Sequence, residues 1–122
     1  MTRSPLLQLV RDSIEEVIEA KRIIKRDELL ATYPALEQQV GCIVTLKIHD
    51  EIRGEAKSEH PSQALIDDII YNAKVAAFQD PRFSPLTTAE YLRASISLSL
   101  LIPDEEGSLH VETSTDEPLL KD

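Results

Sequence analysis

Cysteine occurs once in this chain, at Cys42. No disulfide can form within it, and a lone thiol fits a reducing compartment, so a cytoplasmic protein is expected. Long apolar runs are missing as well: none approaches the roughly 20 residues that a membrane helix requires. The opening Met1-Thr2-Arg3-Ser4-Pro5 has no apolar region of the kind a signal peptide carries. Glycine is limited to Gly41, Gly54 and Gly107, which leaves no glycine-rich phosphate loop; neither a Ser-His-Asp set nor a Cys-x-x-Cys pair is present. Cations are few, 13 Lys and Arg against 22 Asp and Glu. Counterion release from nucleic acid needs clustered cations, and an acidic surface repels phosphate, so neither nucleic acid nor a membrane is an expected partner.

What is present is enough for one domain with a single core at 122 residues. The net charge of −9 is uneven. Seven acids against Lys121 give the stretch from Pro103 to Asp122 a net −6, leaving −3 for everything before it. One basic cluster, Lys21-Arg22 and Lys25-Arg26, falls near the end of the first predicted helix, where cations meet the negative end of the helix dipole.

That helix starts at Ser4, a suitable N-cap, with Pro5 at the first helical position, and runs to about Lys21. Leu6, Leu7, Val10, Ile14, Val17 and Ile18 recur at spacings of three and four and form one apolar stripe; Arg11, Asp12, Glu15, Glu16 and Glu19 fall largely elsewhere. A short helical turn follows at Asp27 to Ala31, broken by Tyr33-Pro34. From Gly41 the period becomes two: Cys42, Val44, Leu46 and Ile48 face one way. His49-Asp50-Glu51 forms a polar turn of uncertain length, and Ile52 to Lys57 returns as the second strand of a hairpin. Pro61-Ser62 opens a helix whose apolar face comprises Leu65, Ile66, Ile69, Ile70, Ala73, Ala76 and Ala77, the alanines implying close packing. Thr87-Thr88-Ala89-Glu90 reads as a capping box. Ala94 to Ile102 is the clearest strand, with Ser95, Ser97 and Ser99 on its second face. After Glu106-Gly107, Ser108 to Thr113 alternates enough for a short edge strand. Ser114 to Asp122 has the composition of a disordered end.

Helices and hairpin strands in this order imply an α+β single domain: an antiparallel or mixed sheet with a central hairpin packed by two main helices. The segment Asn72 to Thr87, NAKVAAFQDPRFSPLT, the run Gly41-Cys42-Ile43-Val44-Thr45-Leu46 and the dipeptide Arg53-Gly54 resemble the AMMECR-type domain family over about Leu6 to Leu101. The resemblance implies an α+β fold and no firmly assigned reaction. Set against the family hexapeptide Leu-Arg-Gly-Cys-Ile-Gly, the chain reads Ile52-Arg53-Gly54-Glu55-Ala56-Lys57, with Glu55 in place of the cysteine and Lys57 in place of the last glycine. Family members continue further, through an Arg-x-Gly and a Leu-Pro-Gln-Val stretch not found here. The expectation is a shortened, diverged, bacterial-type member: a domain over residues 1–106 and an acidic tail over 107–122. Related domains are fused to, or encoded beside, Memo-like and radical-SAM proteins, which makes such a protein the implied partner.

Three groups of residues suggest chemistry. In Arg53-Gly54-Glu55, an arginine fork beside a glycine can grip a carboxylate or phosphate, Glu55 can serve as a general base if buried, and the bland reading is a hairpin with a bulge. In Asp80-Pro81-Arg82-Phe83, aspartate and proline suit a type I turn that presents Arg82 and Phe83. His49-Asp50-Glu51 with Glu59-His60 offers metal-type ligands, but at opposite ends of the drawn hairpin, about 20 Å apart, they cannot share an ion. Cys42 reads as a small buried hydrophobe. Neither a metal nor a cofactor is expected. The favoured function is a ligand- or protein-binding module without its own catalysis, taking an anionic group or partner peptide at a cleft near Arg53, Gly54 and Arg82. The alternative is a diverged enzyme with Glu55 as acid or base. A third possibility is a homodimer that completes an exposed sheet edge.

Overall fold

Ser4 Oγ accepts the N–H of Leu7 at 3.2 Å and opens helix α1, Pro5–Ile18. The computed structural model describes residues 4–59, 61–104 and 106–120. Parts of the sequence reading that fell on Met1–Arg3, His60, Glu105 and Lys121–Asp122 lie outside the described residues. Leu7, Leu9, Val10 and Ile14 are buried as the spacing predicts, but Arg11 is buried with them. It follows Leu7 by four residues and precedes Ile14 by three, which puts it on the apolar stripe and not, as expected, away from it.

Helix α1 also ends earlier than expected. Ala20 turns left-handed at φ 53°, and the Glu16 carboxylate accepts the N–H groups of Ile23 and Ile24, both at 2.9 Å, folding the chain back. The basic cluster therefore does not sit in the last turn of α1. Arg26 instead opens helix α2, Arg26–Thr32, and forks onto Asp67 at 2.8 and 2.9 Å.

The hairpin pairs β1, Gly41–Ile48, with β2, Glu51–Ser58. Its turn is the two residues His49 and Asp50, both at positive φ (52° and 65°). That is the mirror-image turn that matches strand twist, made here without glycine. Helix α3, Leu65–Phe78, begins three residues after Ser62 because the Leu65 N–H is satisfied by the Gln38 carbonyl at 2.8 Å, so Ser62 is not its cap. Helix α4, Thr88–Arg93, has the expected capping box between Thr87 and Glu90. Strand β3, Ser95–Pro103, and β4, Leu109–Thr115, complete a fully antiparallel sheet in the order β2-β1-β3-β4. The architecture is α+β in one domain.

One face of the sheet carries Cys42, Val44, Leu46, Ala56, Ile96 and Leu98 against α3 and α1. Helix α3 sits close because its small residues meet a glycine: a Cβ on Gly54 would lie 2.0 Å from the Ala76 carbonyl oxygen. The opposite face is a hydroxyl surface, with Ser97 bonded to Thr115 at 3.0 Å and Ser99 to Thr113 at 2.8 Å.

Beyond Thr113 the structure departs from the disordered end expected of the composition. Ser114 and Thr115 belong to β4, and Asp116 turns inward to Arg11, accepting from Nε and Nη2 at 3.0 Å each. Asp116 also accepts the Ile96 N–H at 2.9 Å, and the Leu120 N–H reaches the Leu92 carbonyl at 2.8 Å. A guanidinium with no solvent exposure requires a counter-charge, and this segment supplies it. Arg11 Nη2 further bonds the carbonyls of Ala94 and Glu117. Its Nη1 has no hydrogen-bond partner, but the Tyr91 ring lies 5.1 Å from Cζ and offers its π face.

Two stability outcomes follow. Gly54→Ala drives a methyl into backbone and should lower the unfolding free energy by at least about 2 kcal/mol in urea denaturation; an unchanged midpoint would refute the close-contact account. Arg11→Met takes the buried guanidinium away from the Asp116 carboxylate and should cost about 3–5 kcal/mol. A loss below about 1 kcal/mol would place the ion pair among weak surface pairs.

Candidate functional site

Strand β2 does not pair evenly with β1. Leu46 faces Gly54 and Lys47 faces Ile52, so Arg53 is the extra residue of a bulge. The bulge sends Arg53 towards the loop after α3. Its Nε donates to Glu90 Oε2 at 2.8 Å, while Nη2 reaches Glu90 Oε1 at 3.1 Å and the Ser84 carbonyl at 2.8 Å. Glu90 is the same residue that closes the capping box of α4, accepting the Thr87 N–H at 3.1 Å. The Arg53 guanidinium first, and then that amide, hold the Glu90 carboxyl down at about 2. With a side chain only 12% exposed, Arg53 is engaged inside the protein.

The turn at residues 80–83 closes as predicted, with the Phe83 N–H on the Asp80 carbonyl at 3.1 Å. Asp80 is buried and its carboxylate is crowded with donors: Arg82 Nη2 at 2.8 Å, Nε at 3.1 Å and backbone N–H at 3.0 Å, then the Glu55 N–H at 3.1 Å. The Arg82 guanidinium is the main reason its carboxyl lies far below the usual range, with burial opposing and the two amides adding to the drop. The bond to Glu55 links the loop to the open edge of β2. Phe83 is half-buried and close to two cations, its centroid 5.4 Å from Arg53 Cζ and 5.3 Å from Arg82 Cζ.

Five of the six residues singled out in the sequence thus meet at one corner: Arg53, Glu55, Asp80, Arg82 and Phe83. Gly54 faces the other way, under α3. The Glu55 carboxylate accepts from Thr45 Oγ1 at 3.0 Å across the hairpin. Two clefts among the described residues lie elsewhere. One is lined by Glu16, Arg22, Lys25, Arg26 and Glu28, the other by Lys47, His49, Arg93, Asp116 and Glu117, and neither includes a residue of the corner. His49 is at the hairpin tip, His60 is outside the described residues, and His110 lies on β4 beside Glu112 at 3.4 Å.

Cys42 is more than a small hydrophobe. Its Sγ accepts from Asn72 Nδ2 at 3.2 Å and faces Asp68 at 3.9 Å; Asn72 also bonds Ser58 Oγ at 3.0 Å, and Asp68 accepts from Gln63 at 3.1 Å. Burial pushes the thiol up to about 12. The signal for this buried polar cluster was available: Asp68 and Asn72 fall in step with Leu65, Ile69 and Ala76 along the inward face of α3. For Glu90, as the partner of Arg53, the sequence offers no signal beyond its role in the cap.

The pattern of the AMMECR1 family matches residues 7–117. The chain belongs to the AMMECR1 family. It is 32% identical over 115 residues to a protein of Methanothermobacter thermautotrophicus, covering 94% of this chain and 58% of that one. It is 32% identical over 105 residues to Protein TK0174 of Thermococcus kodakarensis, covering 82% and 50%. Among solved structures it is similar to that of the uncharacterized protein PH0010 from Pyrococcus horikoshii, with a TM-score of 0.69 and 30% identity, covering 80% of this chain and 50% of that one. The chain therefore spans about half the length of these AMMECR1 relatives. Cys42, the one cysteine of the sequence, is buried on the strand beside the Arg53-Gly54 match, so no exposed thiol stands at the corner.

The corner predicts a pH dependence. Above the usual carboxyl pKa of about 4.3 the Glu90 contribution is complete. As pH falls, the unfolded state takes up the proton first, so stability declines and the contribution is gone below about 2. Glu90→Gln should be less stable at neutral pH and lose less stability between those limits, as read from denaturation midpoints. Parallel pH profiles for the two proteins would dismiss the Arg53–Glu90 pair as a contributor.

Proposed function

We propose that this chain is a binding module without a catalytic step of its own, and that the corner of Arg53, Glu55, Asp80, Arg82 and Phe83 receives a carboxylate-bearing peptide segment of a partner protein. One observation carries the reading: Arg82 is held over the Phe83 ring by Asp80 while its side chain stays 56% exposed. Of the five N–H donors of a guanidinium, two go to Asp80. The rest of the planar fork is presented to solvent beside an aromatic face, a combination suited to a carboxylate and an adjoining apolar side chain. Arg53 and Asp80 serve as the frame. A Memo-like or radical-SAM protein is the class of partner that the family resemblance implies. Glu55 as an acid–base residue gains no support from its hydrogen bond to Thr45, which occupies the carboxylate within the hairpin.

The test is an amide NMR titration with a tetraglutamate peptide and, separately, with inorganic phosphate. Saturable shifts at Arg82, Phe83 and Glu55 in the peptide arm, abolished by Arg82→Gln with the remaining spectrum intact, are expected. Shifts that persist in Arg82→Gln, or none at these amides up to millimolar peptide, would reject the corner as the site. Saturation by phosphate alone would reject the peptide as ligand.

A further inference from the structure

The two edges of the sheet are built differently. β2 alternates charges along its length, Glu51, Arg53, Glu55 and Lys57, carries the bulge at Arg53, and has its Glu55 amide occupied by Asp80. These devices discourage another strand from adding there. β4 has none of them. Its seven residues contain no Lys, Arg or Pro, and its register with β3 runs from Ser97↔Thr115 to Pro103↔Leu109 without a shift. Every one of the seven is exposed, including Leu109 at 57% and Val111 at 53%. Among the described residues β4 pairs with β3 alone.

We propose that β4 adds to β4 of a second copy, joining two four-stranded sheets into one of eight strands about a two-fold axis at Val111. Antiparallel pairing centred there is self-complementary. Val111 meets Val111 of the second copy, Leu109 meets Thr113 of the second copy, and His110 meets Glu112 of the second copy. Val111 already lies beside Leu101 across β3, so the pairing makes an unbroken apolar row, Leu101–Val111–Val111–Leu101, over the hydroxyl face. On the helix-side face, His110 and Glu112, 3.4 Å apart within the strand, alternate with their counterparts, so each imidazole has a carboxylate on two sides. A register one residue away in either direction loses this matching and turns apolar side chains opposite the wrong face. The contact is isologous, so it closes at two copies and does not propagate. Because each copy carries a net −9, long-range repulsion opposes association and salt should strengthen it.

Sedimentation equilibrium on the whole chain, at low and at high salt, tests the proposal together with cysteine cross-linking. Expected is a concentration-dependent monomer–dimer equilibrium that tightens with salt. Val111→Lys, which sets two ammonium groups opposite each other on the axis, should raise the dimer Kd at least about tenfold with unchanged circular dichroism. Under mild oxidation Val111→Cys should give a covalent dimer, since directly opposed residues lie within disulfide reach, while Thr113→Cys should not. A monomer at every accessible concentration overturns the proposal. So does a dimer indifferent to Val111→Lys, or cross-linking through Thr113→Cys in preference to Val111→Cys.

Discussion

A charge with no access to water sets the terms for the rest of this molecule. Arg11 lies on the inward stripe of α1, and a guanidinium there is tolerable only if its donors and its charge are met from within the fold. They are met by groups distant in sequence: Asp116, the carbonyls of Ala94 and Glu117, and the ring of Tyr91. Through this one side chain α1, α4, the start of β3 and the segment after β4 are tied together. The pair closes a separation of 105 residues, so the seating of α1 on the sheet depends on a segment distant in the sequence.

The sequence was legible where a pattern repeats and opaque where one residue answers another far away. The stripes of α1 and α3, the alternation of β1 and β3, the capping box at Thr87 and the Asp80 turn all rest on local spacing, and all are found close to where spacing puts them. The misreadings share a cause. Arg11 looked like a surface charge because residue type was weighed above position, although its spacing from Leu7 and Ile14 gave it away. Residues from Ser114 onward looked disordered because composition carries no sign that Asp116 has a buried partner. The start of α3 slipped because the Gln38 carbonyl, and not a serine hydroxyl, receives its first amide.

At the candidate site the same division holds. The turn at residues 80–83 and the bulge near Gly54 could each be read alone, but their meeting could not: it depends on the Asp80 carboxylate reaching the Glu55 amide and on Glu90, a capping residue, doubling as the partner of Arg53. The corner is therefore a joint between the hairpin, the loop after α3 and the start of α4. Its arginines play unequal parts, one internal and one facing water, which sequence alone treated as equivalent.

The contact of Gly54 with the Ala76 carbonyl has a meaning beyond packing density. Side-chain contacts between a helix and a sheet can be re-spaced by any change of side-chain size, whereas here backbone lies on backbone, so no pliable group separates them. Asp80 leaves α3 two residues after its last turn, and Glu55 is the neighbour of Gly54. The reach from carboxylate to amide is thus gauged by a stop one residue away on one side and four on the other. The corner inherits the precision of that stop, as a jaw inherits the setting of its hinge.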